Sequence, residues 1–346
     1  METSSYAQAL AQHIGTREAF RVAIVAPVHI QPSQKWIDAL NYASKTATII
    51  IVDDSDGKVQ LPENWDVYGY ARQREVLGDE LYAQFEMFHK SSACKTFGVW
   101  LAHQRSFDPI IVIDSDCVIP PDFVARHIEA LLAYGDGWDN PIEGTGFYSR
   151  GFPMHERKKP VWANMGLWEN ELDLYGTDRV GRSDIPRVAP WVDHVSNGAL
   201  FPLSGMNVSF RNDAAPYMLF LPNFLFGEQR FSRHDDIWGG YIFQQVARMK
   251  RFALSYGQPV VYHDTVVVAE EDAADEVPMI KYEREFYSQV DKAMQGIAWF
   301  DPADITPTKV YDTLADYFEK VPGPFAALVP AFDFAGEMFE KEETQI

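Results

Sequence analysis

Short apolar runs alternate with helix-like patterns along the first 134 residues of the chain. Branched apolar residues form the strand-like runs, which lie at 20–30, 47–57, 65–71 and 110–113. Apolar residues three or four positions apart mark the helix-like stretches, which lie at 33–44, 83–105 and 120–134. This alternation predicts an α/β fold built on a doubly wound, mostly parallel sheet.

Beyond residue 134 the pattern becomes irregular. The inserted middle region, 140–235, is rich in Gly, Pro, Trp and Asn and has strand-like pieces at 143–149, 188–194 and 205–210. A helix at 236–250, a strand at 257–264, a solvated acidic stretch EEDAADE and helices at 278–298 and 308–320 are predicted after it. We expect three parts: an N-terminal extension at 1–19, a sheet domain at 20–270, and a C-terminal helical region at 271–346 packed on it.

The net charge of the chain limits the kinds of molecule that it can bind. Thirty Lys and Arg against 50 Asp and Glu give a net charge of −20. Such a protein repels a phosphate backbone, so we expect no nucleic-acid partner. The sequence has no apolar stretch long enough for a membrane span and no apolar signal-peptide segment at its start. We therefore expect a cytoplasmic protein in which Cys94 and Cys117 are reduced thiols.

Acidic residues follow two of the predicted strands. Asp53–Asp56 ends the second strand, and Asp114 and Asp116 end the strand IIVI. Ligands of doubly wound sheets bind at the carboxyl ends of the strands, and Mg²⁺ and Mn²⁺ prefer oxygen ligands. His263, at the end of the last predicted strand, is a candidate third ligand. The alternatives are an acidic turn that caps the next helix and a hydrogen-bonded core histidine.

Longer motifs carry a resemblance to a known family. In chain order they are IIVDDSDG, SSACKTFG, VIDSDC, SRGFPMHER, MGLW, LFPLSGMNVSF, RHDDIWGG and VYH. Over residues 20–265 the chain resembles the reversibly glycosylated polypeptide family, whose best-known members are UDP-arabinopyranose mutases with a GT-A glycosyltransferase fold. The chain departs from the family pattern at Ser115, where an aspartate is usual, and at DTVV after His263, where a Ser-Lys pair is usual.

The resemblance implies a GT-A-like nucleotide-sugar domain that uses Mn²⁺ or Mg²⁺. Asp116 and His263 would hold the cation together with Asp114, and Asp54 or Asp56 would meet the base or the ribose. The family also assembles, which makes a homo-oligomer an expectation.

Other residues are candidates for contacts with the nucleotide sugar. Lys95 could reach a phosphate, although an ordinary surface lysine is the alternative. Gly205 would allow close backbone approach, and Asn207 could bind sugar hydroxyls unless it is a buried strand residue. Trp168 is the main aromatic candidate for the sugar pocket, and core packing is the alternative for it and for Trp162, Trp191 and Trp238.

The segment SRGFPMHERKKP concentrates positive charge in an acidic chain. In the family, the arginine matching Arg150 is reversibly glycosylated, and the arginine matching Arg157 is also needed. A guanidinium is rarely deprotonated, so Arg150 would need a carboxylate beside it, for which Asp235 or Asp236 is the candidate. The alternatives are a solvated basic loop and a pair of helix-capping aspartates.

We therefore predict a metal-dependent enzyme that acts on a UDP-sugar. The resemblance implies UDP-arabinopyranose mutase activity with reversible self-glycosylation on arginine. The alternative is a conventional glycosyltransferase that moves the sugar to an external acceptor. A non-catalytic subunit is the third hypothesis, against which the complete set of candidate residues argues.

Overall fold

The computed structural model describes residues 20–137, 147–151, 153–154, 157–170, 173–182, 193–195, 199, 201–264 and 268–343. The predicted N-terminal extension, Trp191, and most of the strand-like pieces at 143–149 and 188–194 lie outside the described residues.

The strands are β1 Val22–Val28, β2 Ala47–Asp53, β3 Asp66–Tyr68, β4 Ile110–Ile113, β5 Cys117–Val118, β6 Tyr134–Gly135, β7 Lys159–Trp168, β8 Asp193–His194, β9 Asn207–Phe210, β10 Phe224–Phe226, β11 Gln229–Phe231 and β12 Ala253–His263. The α-helices are α1 Gln34–Ala43, α2 Tyr70–Phe85, α3 Lys95–Gln104, α4 Phe123–Leu132, α5 Gly176–Arg179, α6 Asp235–Met249, α7 Ala269–Met294, α8 Pro307–Phe318 and α9 Val329–Glu343.

The predicted α/β fold with a mostly parallel sheet is confirmed. The strand order in the main sheet is β3-β2-β1-β4-β9-β7-β12-β5. β1 is parallel to β2 and β4, β2 to β3, and β7 to β12, whereas β9 runs antiparallel between β4 and β7. This arrangement agrees with the GT-A-like fold. The carboxyl ends of the parallel strands therefore meet at one edge of the sheet, which we call the carboxyl edge.

Helices cover both faces of the sheet because the central strands are apolar on both sides. Ile24 and Ile51 pack with Trp36 of α1 on one face. Val25 and Val52 pack on the other face, in the cluster that α2, α3, α6 and the C-terminal helices complete. The C-terminal region thus shares the core of the sheet domain.

One long predicted helix is broken in the structure. The pattern at 83–105 predicts a single helix, but α2 ends at Phe85 and α3 begins at Lys95. Between them Lys90 has a positive φ of 57°, and its backbone N–H donates to Asp54 Oδ2. The break therefore brings this connection to the end of β2.

Three further differences concern elements that the pattern missed. β7 was not predicted as a strand, although Trp162 and Trp168 lie on it. The EEDAADE stretch is not a solvated loop but the start of α7, where Glu276 is buried and accepts a hydrogen bond from the backbone of Gly176. The aromatic segment after Pro322, for which no element is predicted, contains α9.

Among the helices of the described residues, none combines the length and the apolar character needed to cross a membrane.

A buried polar network joins the middle strands of the sheet. His127 Nε2 lies 3.0 Å from Asn207 Oδ1, and Asn164 Nδ2 lies 3.3 Å from His127 Nδ1. Ser255 donates to Asn164, and Asn207 donates to the carbonyl of Pro259. Burial lowers the pKa of His127 to about 3, so its ring is neutral. The network joins α4, β7, β9 and β12 beneath the carboxyl edge.

Substitution of Gly166 tests how tightly the side chains of this network are packed. A Cβ on Gly166 would collide with the Asn207 amide and the carbonyl of Pro259. We expect Gly166→Ala to lower the free energy of unfolding by about 1–3 kcal/mol in urea titrations, because the core is overpacked. Gly296→Ala is the control, since its Cβ would meet only the Ala293 carbonyl at 3.5 Å. Equal stabilities of the two variants would show that the core accommodates a Cβ at residue 166.

Candidate active site

The carboxyl edge brings Asp116 and His263 together across the end of β12. His263 Nε2 lies 3.2 Å from Asp116 Oδ2, and the antiparallel pairing of β12 with β5 fixes this register. The His263 ring stacks on Trp168 at a centroid distance of 4.1 Å and an interplanar angle of 11°. Burial opposes ionisation of Asp116, but the hydrogen bond and charge of His263 prevail and lower its pKa. His263 is thus buried and also bonded to a carboxylate.

This pair has the spacing that two ligands of one cation require. Adjacent ligand atoms of an octahedral Mg²⁺ or Mn²⁺ lie about 3.0 Å apart when each bond is about 2.1 Å. The 3.2 Å separation between Asp116 Oδ2 and His263 Nε2 is close to that value. A carboxylate and a neutral imidazole are suitable ligands for Mn²⁺. Asp116 and His263 therefore fit the predicted metal site.

Lys95 is buried at the same edge. Its side chain is 1% exposed, and its Nζ lies 2.5 Å from Asp114 Oδ1 and 3.2 Å from the carbonyl oxygen of Gly205. Burial disfavours the ammonium, but the carboxylates of Asp114, Asp235 and Asp236 outweigh it and raise the pKa of Lys95. The surface-lysine alternative is therefore wrong, and Lys95 holds Asp114 in place.

The first turn of α6 supplies two carboxylates with different environments. Asp236 Oδ2 accepts hydrogen bonds from the backbone of Gly205 at 2.7 Å and from Ser204 Oγ at 3.0 Å. Asp235 is buried, and burial together with the charge of Asp236 raises its pKa to about 7. Asp236 Oδ1 also accepts a hydrogen bond from the backbone N–H of Ile237, so this side chain binds a free donor of the first turn, as the capping alternative predicts. Its bonds to Gly205 and Ser204 also tie α6 to the loop that enters β9.

The end of β2 forms a second group of side chains at this edge. Asp54 Oδ2 lies 3.0 Å from His29 Nδ1, and Oδ1 accepts a hydrogen bond from Tyr70. Asp56 is exposed in a turn with a φ of 63°. His29, Asp54 and Cys94 present ligand atoms within 4.8 Å of one another, so this group could hold a metal ion. Both Cys94 and Cys117 are free and buried.

The predicted arginines do not lie at this edge. Tyr148 and the backbone of Lys158 both donate to Asp136, and the Arg157 guanidinium lies over the Tyr148 ring at 4.5 Å. Asp136 directly follows β6, which pairs with the first residues of β7. Trp168, at the other end of β7, contacts His263.

A strand of this length separates the two ends by about 30 Å. Arg150 is exposed and only two residues from Tyr148. The described geometry therefore leaves Arg150 and Arg157 far from the Asp116–His263 pair of the same chain.

Asn207 and two of the candidate tryptophans lie in the core and not in an open sugar pocket. The Asn207 side chain is fully buried and its amide bonds His127 and the Pro259 carbonyl, so the predicted contact with sugar hydroxyls has no support in this geometry. Trp162 stacks on Phe252 in the core. Trp238 is likewise a core residue and stacks on Phe286. Trp168 remains the aromatic candidate near the site.

Three residues near the site were missed by sequence reasoning. Asp173 lies within hydrogen-bonding reach of Ser204 and close to Asp236. The guanidinium of Arg179 lies 5.9 Å from the Trp168 ring centroid, and its side chain is buried. His29 follows β1. Asp173 and His29 both follow strands that point to the carboxyl edge, so correct prediction of β7 would have revealed Asp173.

The chain matches a known protein family over most of its length. The profile of the family described as "Reversibly glycosylated polypeptide" matches residues 21–301. The chain belongs to the reversibly glycosylated polypeptide family. The resemblance drawn from the motifs is therefore confirmed.

Relatives with assigned names share this family. "UDP-arabinopyranose mutase 2" of Arabidopsis thaliana is 30% identical over 238 residues, which cover 62% of this chain and 63% of the relative. "Probable UDP-arabinopyranose mutase 1" of Pisum sativum is 29% identical over 238 residues, 62% of each chain. "UDP-arabinopyranose mutase 1" of Oryza sativa subsp. japonica is 29% identical over 237 residues, again 62% of each chain. The match thus spans less than two thirds of these relatives.

Asp235 makes the stability of the protein depend on pH. Its folded-state pKa of about 7 lies above the ordinary carboxyl value, so folding favours the protonated form. The contribution of this group to stability is therefore present at low pH and is lost as the pH rises from about 4 to 7. We expect Asp235→Asn to melt at a higher temperature than the wild type at about pH 8, with a smaller difference at about pH 5.

Asp236→Asn is the control for this measurement. It weakens the hydrogen bonds from Gly205 and Ser204, so its melting temperature should fall at about pH 8. A gain for Asp235→Asn that is the same at both pH values would show that its carboxyl does not have a raised pKa.

Proposed function

We propose that the protein is a metal-dependent enzyme acting on UDP-sugars, with UDP-arabinopyranose mutase-like activity and reversible self-glycosylation on arginine. The observation that carries the proposal is the group at the carboxyl edge, where Asp116 faces His263 and Lys95 holds Asp114. Membership of a family with relatives named as mutases supports the choice of substrate.

Each part of this group has a role in the proposed chemistry. Asp114, Asp116 and His263 would hold Mn²⁺ or Mg²⁺, which neutralises the charge that a leaving diphosphate develops. Lys95 orients Asp114 and adds positive charge beneath the phosphates. Asp54 or Asp56 would meet the base or the ribose, and Trp168 would support the sugar beside His263.

The carboxylates of α6 are suited to proton transfer. Asp235 has a pKa of about 7, so near neutral pH it exists in both protonation states. A sugar hydroxyl that attacks the anomeric carbon must lose a proton, and Asp235 is matched to accept it. Asp236 holds the Gly205 backbone through its hydrogen bond and keeps the adjoining loop close to the reacting sugar.

Self-glycosylation is proposed to occur between chains. Arg150 lies near the start of β7, whereas Trp168 and the predicted metal ligands lie at its end. A second copy could present its Arg150 to the carboxyl edge without disturbing either fold. This proposal includes a homo-oligomer or a transient encounter of two chains in the cytosol, where Cys94 and Cys117 would remain free thiols.

A conventional glycosyltransferase is the second candidate function. The distance of Arg150 from the metal ligands of its own chain favours it, because the acceptor position is then open to an external group. Incubation with a panel of UDP-sugars and Mn²⁺ tests both functions. Chromatography would show interconverted UDP-arabinose for a mutase, and intact mass would show any sugar added to the protein. Release of UDP only when an external acceptor is present would favour the transferase.

Removal of the cation should weaken UDP binding. We expect both EDTA and Asp116→Asn to lower UDP affinity by more than about tenfold in calorimetry, because the cation that Asp116 would hold supplies the positive charge that the diphosphate needs. Asp122→Asn is the matched control, since Asp122 pairs with Arg126 on the surface. Unchanged UDP affinity in EDTA and in Asp116→Asn would remove the metal from the proposal.

Complementation tests whether arginine modification crosses between chains. Arg150→Lys keeps the predicted metal site but loses the modified guanidinium, and Asp116→Asn keeps Arg150 but loses a metal ligand. Neither variant alone should take up label from a radioactive UDP-sugar. Their mixture should label the Asp116→Asn chain at the peptide that contains Arg150. A wild-type chain that is labelled at a concentration-independent rate, with no label in the mixture, would contradict transfer between chains.

A further inference from the structure

A mixed cluster of side chains lies on the β1–β2 side of the carboxyl edge. It consists of His29, Asp54 and Cys94, whose ligand atoms lie within 4.8 Å of one another. The side chain of His29 is 34% exposed, that of Asp54 is fully buried, and Cys94 is also buried. The proposed function uses neither the thiol nor the imidazole of this cluster.

The three donors form a set that suits one class of cation. A thiolate, an imidazole and a carboxylate are the ligands that Zn²⁺ takes in proteins, whereas Mg²⁺ and Mn²⁺ prefer oxygen. Ligand atoms of a tetrahedral zinc site lie about 3.5 Å apart. His29 Nδ1 and Asp54 Oδ2 lie 3.0 Å apart, which is shorter than this value. No two ligand atoms of the cluster are more than 4.8 Å apart.

The surroundings of the cluster fix the direction of Asp54 and set the charge state of Cys94. Asp54 Oδ1 accepts a hydrogen bond from Tyr70 at 2.8 Å, and Oδ2 accepts one from the Lys90 backbone at 2.5 Å. Such outer hydrogen bonds fix the direction of a ligating carboxylate. Cys94 directly precedes α3 as its N-cap residue, and burial together with the neighbouring carboxylate of Asp54 raises the pKa of its thiol, so the sulfur becomes a thiolate only when a cation takes the place of its proton.

We propose that His29, Asp54 and Cys94 bind one thiophilic divalent cation of the zinc type. This site is separate from the oxygen-rich group of Asp114, Asp116 and His263. It uses Asp54 and leaves Asp56 as the acid that would meet the base or the ribose. Binding breaks the S–H bond of Cys94 and forms a sulfur–metal bond, and the proton passes to solvent. His29 is the partly exposed member of the cluster, so a cation would enter from its side.

Co²⁺ is the probe for this site because a cobalt–thiolate bond has a near-ultraviolet charge-transfer band. We expect the full-length protein to develop this band with one Co²⁺ per chain, and Zn²⁺ to abolish it by displacement. Excess Mg²⁺ should leave it unchanged. Cys94→Ser should remove the band, and His29→Gln should weaken Co²⁺ binding by more than about tenfold.

Cys117→Ser is the matched control. Cys117 is the other buried thiol and lies beside Asp116, with its Sγ 3.6 Å from Asp116 Oδ1. The proposal requires the band to persist in Cys117→Ser and in Asp116→Asn. Loss of the band in Cys117→Ser would assign the thiolate to the other metal group and overturn the proposal, as would a wild-type protein without the band. If Cys94→Ser does not fold, the Co²⁺ affinity of His29→Gln tests the proposal instead, because His29 is partly exposed. Unchanged Co²⁺ affinity in His29→Gln would also overturn the proposal.

Discussion

The buried ammonium of Lys95 is the constraint on which the site depends. An unpaired charge in a protein interior costs several kcal/mol, so a lysine that is 1% exposed requires nearby acceptors. Asp114 supplies a carboxylate and Gly205 a carbonyl oxygen, while Asp235 and Asp236 add negative charge. The same ammonium reduces the mutual repulsion of these carboxylates. The end of β4, the start of α3, the loop before β9 and the first turn of α6 are therefore held together by one charge.

This shared charge limits what single substitutions can reveal. Replacement of Lys95 would leave several carboxylates close together without a counter-charge, and each would then titrate differently. A bound divalent cation beside Asp116 would further alter the same balance. Residues that share one electrostatic network show coupled effects, so the roles of Asp114 and Asp235 are separable only by double-mutant cycles. Asp54, which lies in its own hydrogen-bonded group with Tyr70 and His29, is the more independent unit.

The parts of the fold that sequence reasoning predicted are those with uniform patterns. β1, β2 and β4 are unbroken apolar runs, and their acidic ends fall at the carboxyl edge as expected. β7 was missed because a polar residue, Asn164, occupies its centre. Asn164 is compatible with burial only because His127 and Ser255 complete its hydrogen bonds, and such partners are distant in sequence. The burial of Lys95 was missed for the same reason, since its partner Asp114 lies on another element.

The length of β7 determines how far Arg150 lies from the carboxyl edge, and the motif around Arg150 does not contain that distance. Its start is paired with β6 beside Asp136, and its end carries Trp168 against His263. From Lys159 back to Arg150 the chain has nine residues, which reach about 30 Å only when fully extended. The nine steps of β7 cover about the same distance. For Arg150 to reach the proposed metal ligands of its own chain, Asp136 would have to release Tyr148 and Lys158, and the chain from Lys159 back to Arg150 would have to run along nearly the whole of β7. An approach by a second chain requires neither change, so the geometry of this strand supports the proposed reaction between chains.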